Sequence, residues 1–237
     1  EGEGLGILRL LRGVKNRFGS THEVAVFQME STGLVEVPDP SQFLMAQRRG
    51  PRVGSVAVPV LEGTRPLLVE IQALTSPTRA PLPRRVANGL ETTRLLMLIA
   101  VLDRCVGLNL AGQDVIVNVA GGLRVNEPAV DLGVALAVVS SFRRASLEKE
   151  LVAVGEVGLG GEIRPVPQVE HRLQEAARLG LSKAIVALDV NGESPTISGA
   201  TVRPVETLIQ AIEVALPKDR RRVPPAQKTE NSLVTLG

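Results

Sequence analysis

The sequence predicts an α/β protein, an α+β sandwich whose core is aliphatic. Three observations predict it. Hydrophobic residues make up 44% of the 237 residues and mean hydropathy is +0.16, enough to bury a full core. Four Phe with no Trp or Tyr leave that core to Val, Leu, Ile and Ala. Valine-rich runs, which favour buried strands, are interspersed with segments of helical periodicity closed by glycine.

The elements follow in order. Leu5 to Val14 and Glu23 to Met29 read as two strands. Asp39 or Ser41 is placed to cap a short helix running to Gln47. Arg48 to Arg52 has the Gly, Pro and charge of a linker. Gly54 to Leu61 and Pro66 to Leu74 form a hairpin around Glu62–Arg65. A proline-rich basic loop spans Thr75 to Pro83. Leu90 to Val106 is helical and stops at Gly107. Asp114 to Val119 is a strand. Pro128 suits the first turn of a small-residue helix reaching about Ser141. Leu151 to Val157 and Glu162 to Val166 pair around Gly158–Gly161, and Val169 to Leu179 is a helix stopped by Gly180. Ala184 to Leu188 and Thr201 to Arg203 are strands, and Val205 to Leu216 is the last helix. The basic, then polar, segment after Pro217 has the composition of a disordered tail.

Bulk charge excludes little, because the net charge is only +2. Its distribution says more. Arg48, Arg49 and Arg52 form one cluster, Arg79, Arg84 and Arg85 a second, and Lys218, Arg220, Arg221 and Arg222 a third. A single cysteine, Cys105, sits on an apolar helix face and reads as a packed small hydrophobe. His22 and His171 have no companions at ligand spacing, so no metal site is expected. One cysteine without a secretory leader predicts a cytoplasmic protein, and no apolar run approaches the ~18–20 residues of a membrane span. The opening Glu1-Gly2-Glu3-Gly4 reads as the approach to a strand, which suggests a piece of a longer chain.

Lys15-Asn16-Arg17-Phe18-Gly19 places two cations two residues apart, on one side of an extended segment, where both can reach one anion. This block, with the following strand ending Ala25-Val26-Phe27, resembles the KNRFG motif of the RadA (Sms) family of RecA-related DNA repair ATPases. The resemblance continues through Gly63–Ala73, Val106–Gly122 and Glu127–Ala137, in the family's order. It implies that residues 1–47 end a RecA-like ATPase core and 48–52 form a linker. It further implies that 53–217 adopt a Lon-protease-like domain and 218–237 a tail. Lys15 and Arg17 would serve a neighbouring subunit's nucleotide site, DNA, or both. The family's phosphate loop and four-cysteine zinc module do not occur in this sequence. No cofactor is therefore expected in this chain, with ATP, Mg and zinc belonging to the remainder of a full-length member.

Lon proteases carry Gly-Pro-Ser-Ala-Gly before a small-residue helix. Here Glu127, Pro128, Ala129, Val130 and Asp131 occupy that frame, and Arg172 falls where the general-base lysine would lie. Alanine has no hydroxyl, and a guanidinium stays protonated. The frame thus keeps proline, hairpin glycines and helix while losing the Ser/Lys pair. An Asp131–Arg172 contact is the expected replacement. Ser140 and Ser141 have no base in register. Gly158–Gly161 lies between strands rather than before a helix, so it reads as a hairpin and not a phosphate loop.

The missing Ser/Lys pair favours a non-proteolytic scaffold, and the resemblance implies that it assembles a ring, a hexamer, and contacts DNA in support of branch migration beside a RecA-type recombinase. Arg79, Arg84 and Arg85 are the DNA candidates, through backbone phosphates. With 2% aromatics, base stacking has little support. A purely structural oligomerisation module and an active Ser/Lys peptidase are the alternatives.

Overall fold

In the computed structural model, residues 2–5, 8–12, 24–46, 48, 50, 52–189 and 192–216 are described. The first sheet is antiparallel and four-stranded, in the order β1 (Gly2–Leu5), β2 (Leu8–Arg12), β3 (Val24–Glu30), β4 (Gly33–Glu36). Leu8, Leu10, Val24 and Val26 are its buried residues, at period two. Helix α1 (Pro40–Met45) follows, with Asp39 accepting from the Gln42 N–H as its cap. It lies on the long strand β6, where Ser41 Oγ accepts the Leu68 N–H at 3.1 Å.

The second sheet has seven strands. β5 (Ser55–Glu62) and β6 (Arg65–Pro77) form the predicted hairpin. β7 (Arg85–Asn88) is a short edge strand, and α2 (Thr92–Val106) ends at Gly107 with φ 74°. β8 (Gln113–Val119) leads to a 3-10 turn at Ala120–Gly122, and a second such turn, Pro128–Val130, opens α3 (Asp131–Arg143). β9 (Leu151–Val154), β10 (Glu156–Val157) and β11 (Ile163–Arg164) precede α4 (Val169–Arg178). β12 (Lys183–Ala187), β13 (Thr201–Val205) and α5 (Leu208–Ala215) complete the chain. The strand order is β13-β12-β9-β5-β6-β8-β7. Four of its six pairings are parallel, while β6 runs antiparallel to β5 and β8.

α3 is buried along nearly its whole length, which explains its uniformly small and aliphatic sequence. It crosses β5 at Gly133, where an added Cβ would lie 2.3 Å from Val58 Cγ2. α4 covers the opposite face, over Ala57, Leu68, Val152 and Val154.

Several expectations shift. The region predicted as one hairpin from Leu151 to Val166 is divided. β9 joins the main sheet, and only β10 and β11 pair with each other. Gly155 separates them, because both of its backbone groups are committed to the Ala129 turn. The last helix starts at Leu208 rather than Val205, since Pro204 and Val205 still pair with β12. Arg48, read as part of a basic cluster in a linker, is 7% exposed. It donates to the Lys149 carbonyl and lies 3.8 Å from the Glu70 carboxylate. The tail 218–237 lies outside the described residues.

Candidate functional site

The turn Glu127-Pro128-Ala129 is clipped to the β9–β10 junction. Gly155 N–H donates to the Ala129 carbonyl at 3.0 Å, and the Leu132 N–H donates to the Gly155 carbonyl at 3.1 Å. Ala129 is 2% exposed and packs in a dry cluster with Ala57, Leu68, Val154 and Leu173. A methyl group there contributes packing and no nucleophile. Ser140 and Ser141 lie toward the far end of α3, about 16–18 Å away at the rise of an α-helix. Ser140 Oγ accepts from Gly54 N–H and donates to the Ala145 carbonyl, while Ser141 Oγ accepts from Thr75 N–H. Both hydroxyls are structural.

Arg172, at 1% exposure, is the largest fully buried side chain. Its Nη1 and Nη2 donate to Glu127 Oε1 and Oε2 at 2.8 and 2.6 Å, a bidentate pair. Nη1 also donates to the Pro59 carbonyl at 2.9 Å, and Nε to the Pro167 carbonyl at 3.0 Å. Glu127 Oε1 accepts the Leu61 N–H at 2.8 Å. These contacts have a common logic. β5 meets β9 in register only at Ala57↔Val152. Beyond that point the outward backbone groups of β5 are the Pro59 carbonyl and the Leu61 N–H, since alternate residues face one side. Arg172 satisfies the first and Glu127 the second, so the ion pair stands in for the departed strand. Pro59, which has no N–H, leaves none orphaned here.

Asp131 does not meet Arg172. It takes Arg94 of α2 instead, with Arg94 Nε donating to Oδ1 at 2.5 Å, Nη2 donating to Oδ2, and the Val157 N–H reaching Oδ2 at 3.1 Å. The expected replacement contact is therefore wrong in its partner. Pro128 separates an extended Glu127, directed at α4, from a helical Asp131, directed at α2. Burial pushes the Asp131 carboxyl up, against the pull of Arg94 and Val157, while the hydrogen bond to Asp131 raises Arg94. Sequence reading missed both Glu127 and Arg94. The available signal was that Arg172 needed a carboxylate and two occurred in the frame.

The basic candidates separate. Arg85 is tied to backbone carbonyls, through Nη2 to Leu110 at 2.7 Å and through Nη1 to Gln113 and Arg84. Its guanidinium is half-buried and closes these backbone carbonyls. The Arg84 side chain is 78% exposed, with Nε 3.7 Å from Asp114. Arg79 is exposed on the β6–β7 loop. Lys15, Arg17 and His22 lie outside the described residues. His171 is exposed beside Gln168. Cys105 is half-buried against the core. Among the described residues no cluster of His, Cys, Asp or Glu could hold a metal ion, and no helix is long and apolar enough to cross a membrane. Gly160 N–H at the glycine turn already binds the Glu162 carboxylate, which disfavours phosphate there.

Residues 94–190, which contain Arg94, Glu127, Ala129, Asp131 and Arg172, match the family model described as subunit ChlI of Mg-chelatase. Over 217 residues the chain is 47% identical to DNA repair protein RadA of Halalkalibacterium halodurans, across 91% of this chain and 47% of that protein. Its homologues are named DNA repair protein RadA. The RadA of Synechocystis sp. is 47% identical over 92% of this chain and 43% of its own length. That of Escherichia coli K12 is 47% identical over 90% and 46%. The chain thus spans a little under half the length of these curated relatives.

Proposed function

We propose that this chain is the non-proteolytic, Lon-like C-terminal region of a RadA-type DNA repair ATPase, acting as an assembly and DNA-binding scaffold. The observation that carries this reading is the filled site. Ala129 supplies no nucleophile, and the Arg172 guanidinium, paired with Glu127, stands where a neutral amine would be needed. The RadA homologues supply the DNA repair context. ATP and magnesium would be handled by the RecA-like core, with Lys15 and Arg17 reaching a neighbour's nucleotide or DNA, and zinc would be held by a module outside this sequence. Self-association into a hexameric ring, branch migration with a RecA-type recombinase and a cytoplasmic location complete the proposal.

DNA contact would run through phosphates. Arg79 and Arg84 are exposed, and such contacts give affinity that falls steeply with salt. The second reading, a purely structural module, is favoured by the engagement of Arg85 with backbone carbonyls. Duplex binding by the 237-residue chain, with an Arg79→Ala/Arg84→Ala variant alongside, separates the two. The scaffold reading expects salt-sensitive binding weakened in the variant. Absence of binding at low salt would leave only the structural module, and cleavage of an unfolded protein substrate would defeat both.

A further inference from the structure

Topology gathers cations at one end of the seven-stranded sheet. β5, β7 and β8 begin there, β6 ends there, and α3 terminates there. The placements are fixed by contacts. Ser141 Oγ ties the last turn of α3 to Thr75 of β6, Val53 bridges Ser146, and the Arg84 N–H donates to Asp114 Oδ1 at 2.7 Å. Arg52, Arg143 and Arg144 therefore share this end with Arg79 and Arg84, and all five are exposed. Three strand spacings separate β5 from β7, about 14 Å. The acids at this end are Asp114, engaged by Arg84, and Glu70 and Glu150, whose charges act on the buried Arg48. At the α2 end Asp103 adjoins Arg104. Immediately before β9, Glu148 pairs with Lys183 and Glu150 acts on Arg48. Among the described residues, the exposed arginines at this end without a nearby acid are therefore Arg79, Arg143 and Arg144.

Arg144 adds an independent observation. It closes α3 in the left-handed conformation, φ 52° and ψ 40°. The same stop after α2 and near the end of α4 uses Gly107 and Gly180, at φ 74° and 79°. Glycine takes that conformation without steric penalty, so an arginine here is conformationally costly. What it adds is an exposed guanidinium beside that of Arg143.

We propose that Arg52, Arg143 and Arg144 extend Arg79 and Arg84 into one track for the phosphate backbone of duplex DNA. The proposal rests on the reading that the chain handles DNA. Guanidiniums suit phosphate oxygens, and one strand of a duplex presents about four phosphates over 14 Å of axis. Phe142 is packed against the core, so this track offers no ring for stacking, and duplex is favoured over single strands.

The test is duplex binding by the 237-residue chain across a salt series, with Arg143→Ala/Arg144→Gly as the variant. The slope of log K against log salt should fall by about 1.8, and affinity at low salt about tenfold. Arg144→Gly alone should hold or raise the melting temperature while weakening DNA binding. A merely helix-closing arginine would change the melting temperature and leave binding intact. If the wild type binds and the double variant binds equally with the same slope, the track is wrong and the DNA reading stands. If the wild type does not bind, both fall. Polyglutamate retained as well as duplex at equal charge would place an acidic protein there instead and overturn the proposal.

Discussion

Replacing Arg172 with methionine removes a guanidinium of similar length and keeps the apolar stem. Four hydrogen bonds disappear, two to Glu127 and one each to Pro59 and Pro167. The Glu127 carboxylate then loses its counter-ion, and the Pro59 carbonyl loses its partner at the point where β9 has left β5. Removing one member of a buried pair costs about 3–5 kcal/mol. Glu127 is 24% exposed, so water recovers part of that loss and the expected cost is about 3 kcal/mol. For a chain of this size that corresponds to roughly 6–12 °C in melting temperature. Glu127→Gln should cost a similar amount, because it leaves the buried Arg172 guanidinium without a counter-charge and opposes one of its donors with an amide NH2. Arg172→Met/Glu127→Leu should recover about half of the single-variant loss, since no unpaired charge remains. Urea unfolding of the wild type, Arg172→Met, Glu127→Leu and the double variant closes the cycle. An Arg172→Met protein within 1 kcal/mol of the wild type would refute the claim that this pair completes β5.

Other outcomes follow from the same contacts. Gly133→Ala should destabilise by about 1–3 kcal/mol through the Cβ clash with Val58, read in urea. Arg85→Ala should lower the melting temperature while Arg84→Ala leaves it nearly unchanged, because only Arg85 closes backbone carbonyls. Arg178 hydrogen bonds, then the Gln42 N–H, hold the Asp39 carboxyl below its ordinary 3.8. That contribution is present above the ordinary value and is lost as pH falls through the depressed one. Arg178→Ala should accordingly flatten the acid limb of a melting-temperature profile. An Ala129→Ser/Arg172→Lys protein should remain inactive toward peptides, since Glu127 beside the new amine favours its charged form; measurable hydrolysis would contradict the account of the filled site.

Much of the fold was legible because its signals are local. Gly107 and Gly180 mark helix ends by their positive φ, and Asp39 caps α1 as its sequence suggests. Valine-rich β5, β6 and β9 read as buried strands because they are buried on both faces. Tertiary pairing was not legible in the same way. Periodicity cannot divide Leu151–Val166 between two sheets, because the division is made by the Ala129 turn meeting Gly155. β7 was missed because Arg85-Val86-Ala87-Asn88 is short, and its pairing with β8 sets it.

At the candidate site, the absence of a hydroxyl and of an amine was visible from Ala129 and Arg172 alone. The partner of Arg172 was not, because Glu127 and Asp131 both lie within four residues of Ala129 and Pro128 decides which faces α4. The basic groups show the same divide. Composition marks Arg79, Arg84 and Arg85 alike, whereas three carbonyl contacts distinguish the half-buried Arg85 from the exposed Arg79 and Arg84. Arg143 and Arg144 join the set only through the Ser141–Thr75 contact.

The central claim is that a protease-like frame without its chemistry serves assembly and DNA. Solution mass of the 237-residue chain, with and without duplex DNA, tests it most directly. The account predicts a self-associated species that gains mass with duplex at low salt and loses that gain at high salt. A monomer whose mass is the same with and without duplex at every salt concentration would contradict it.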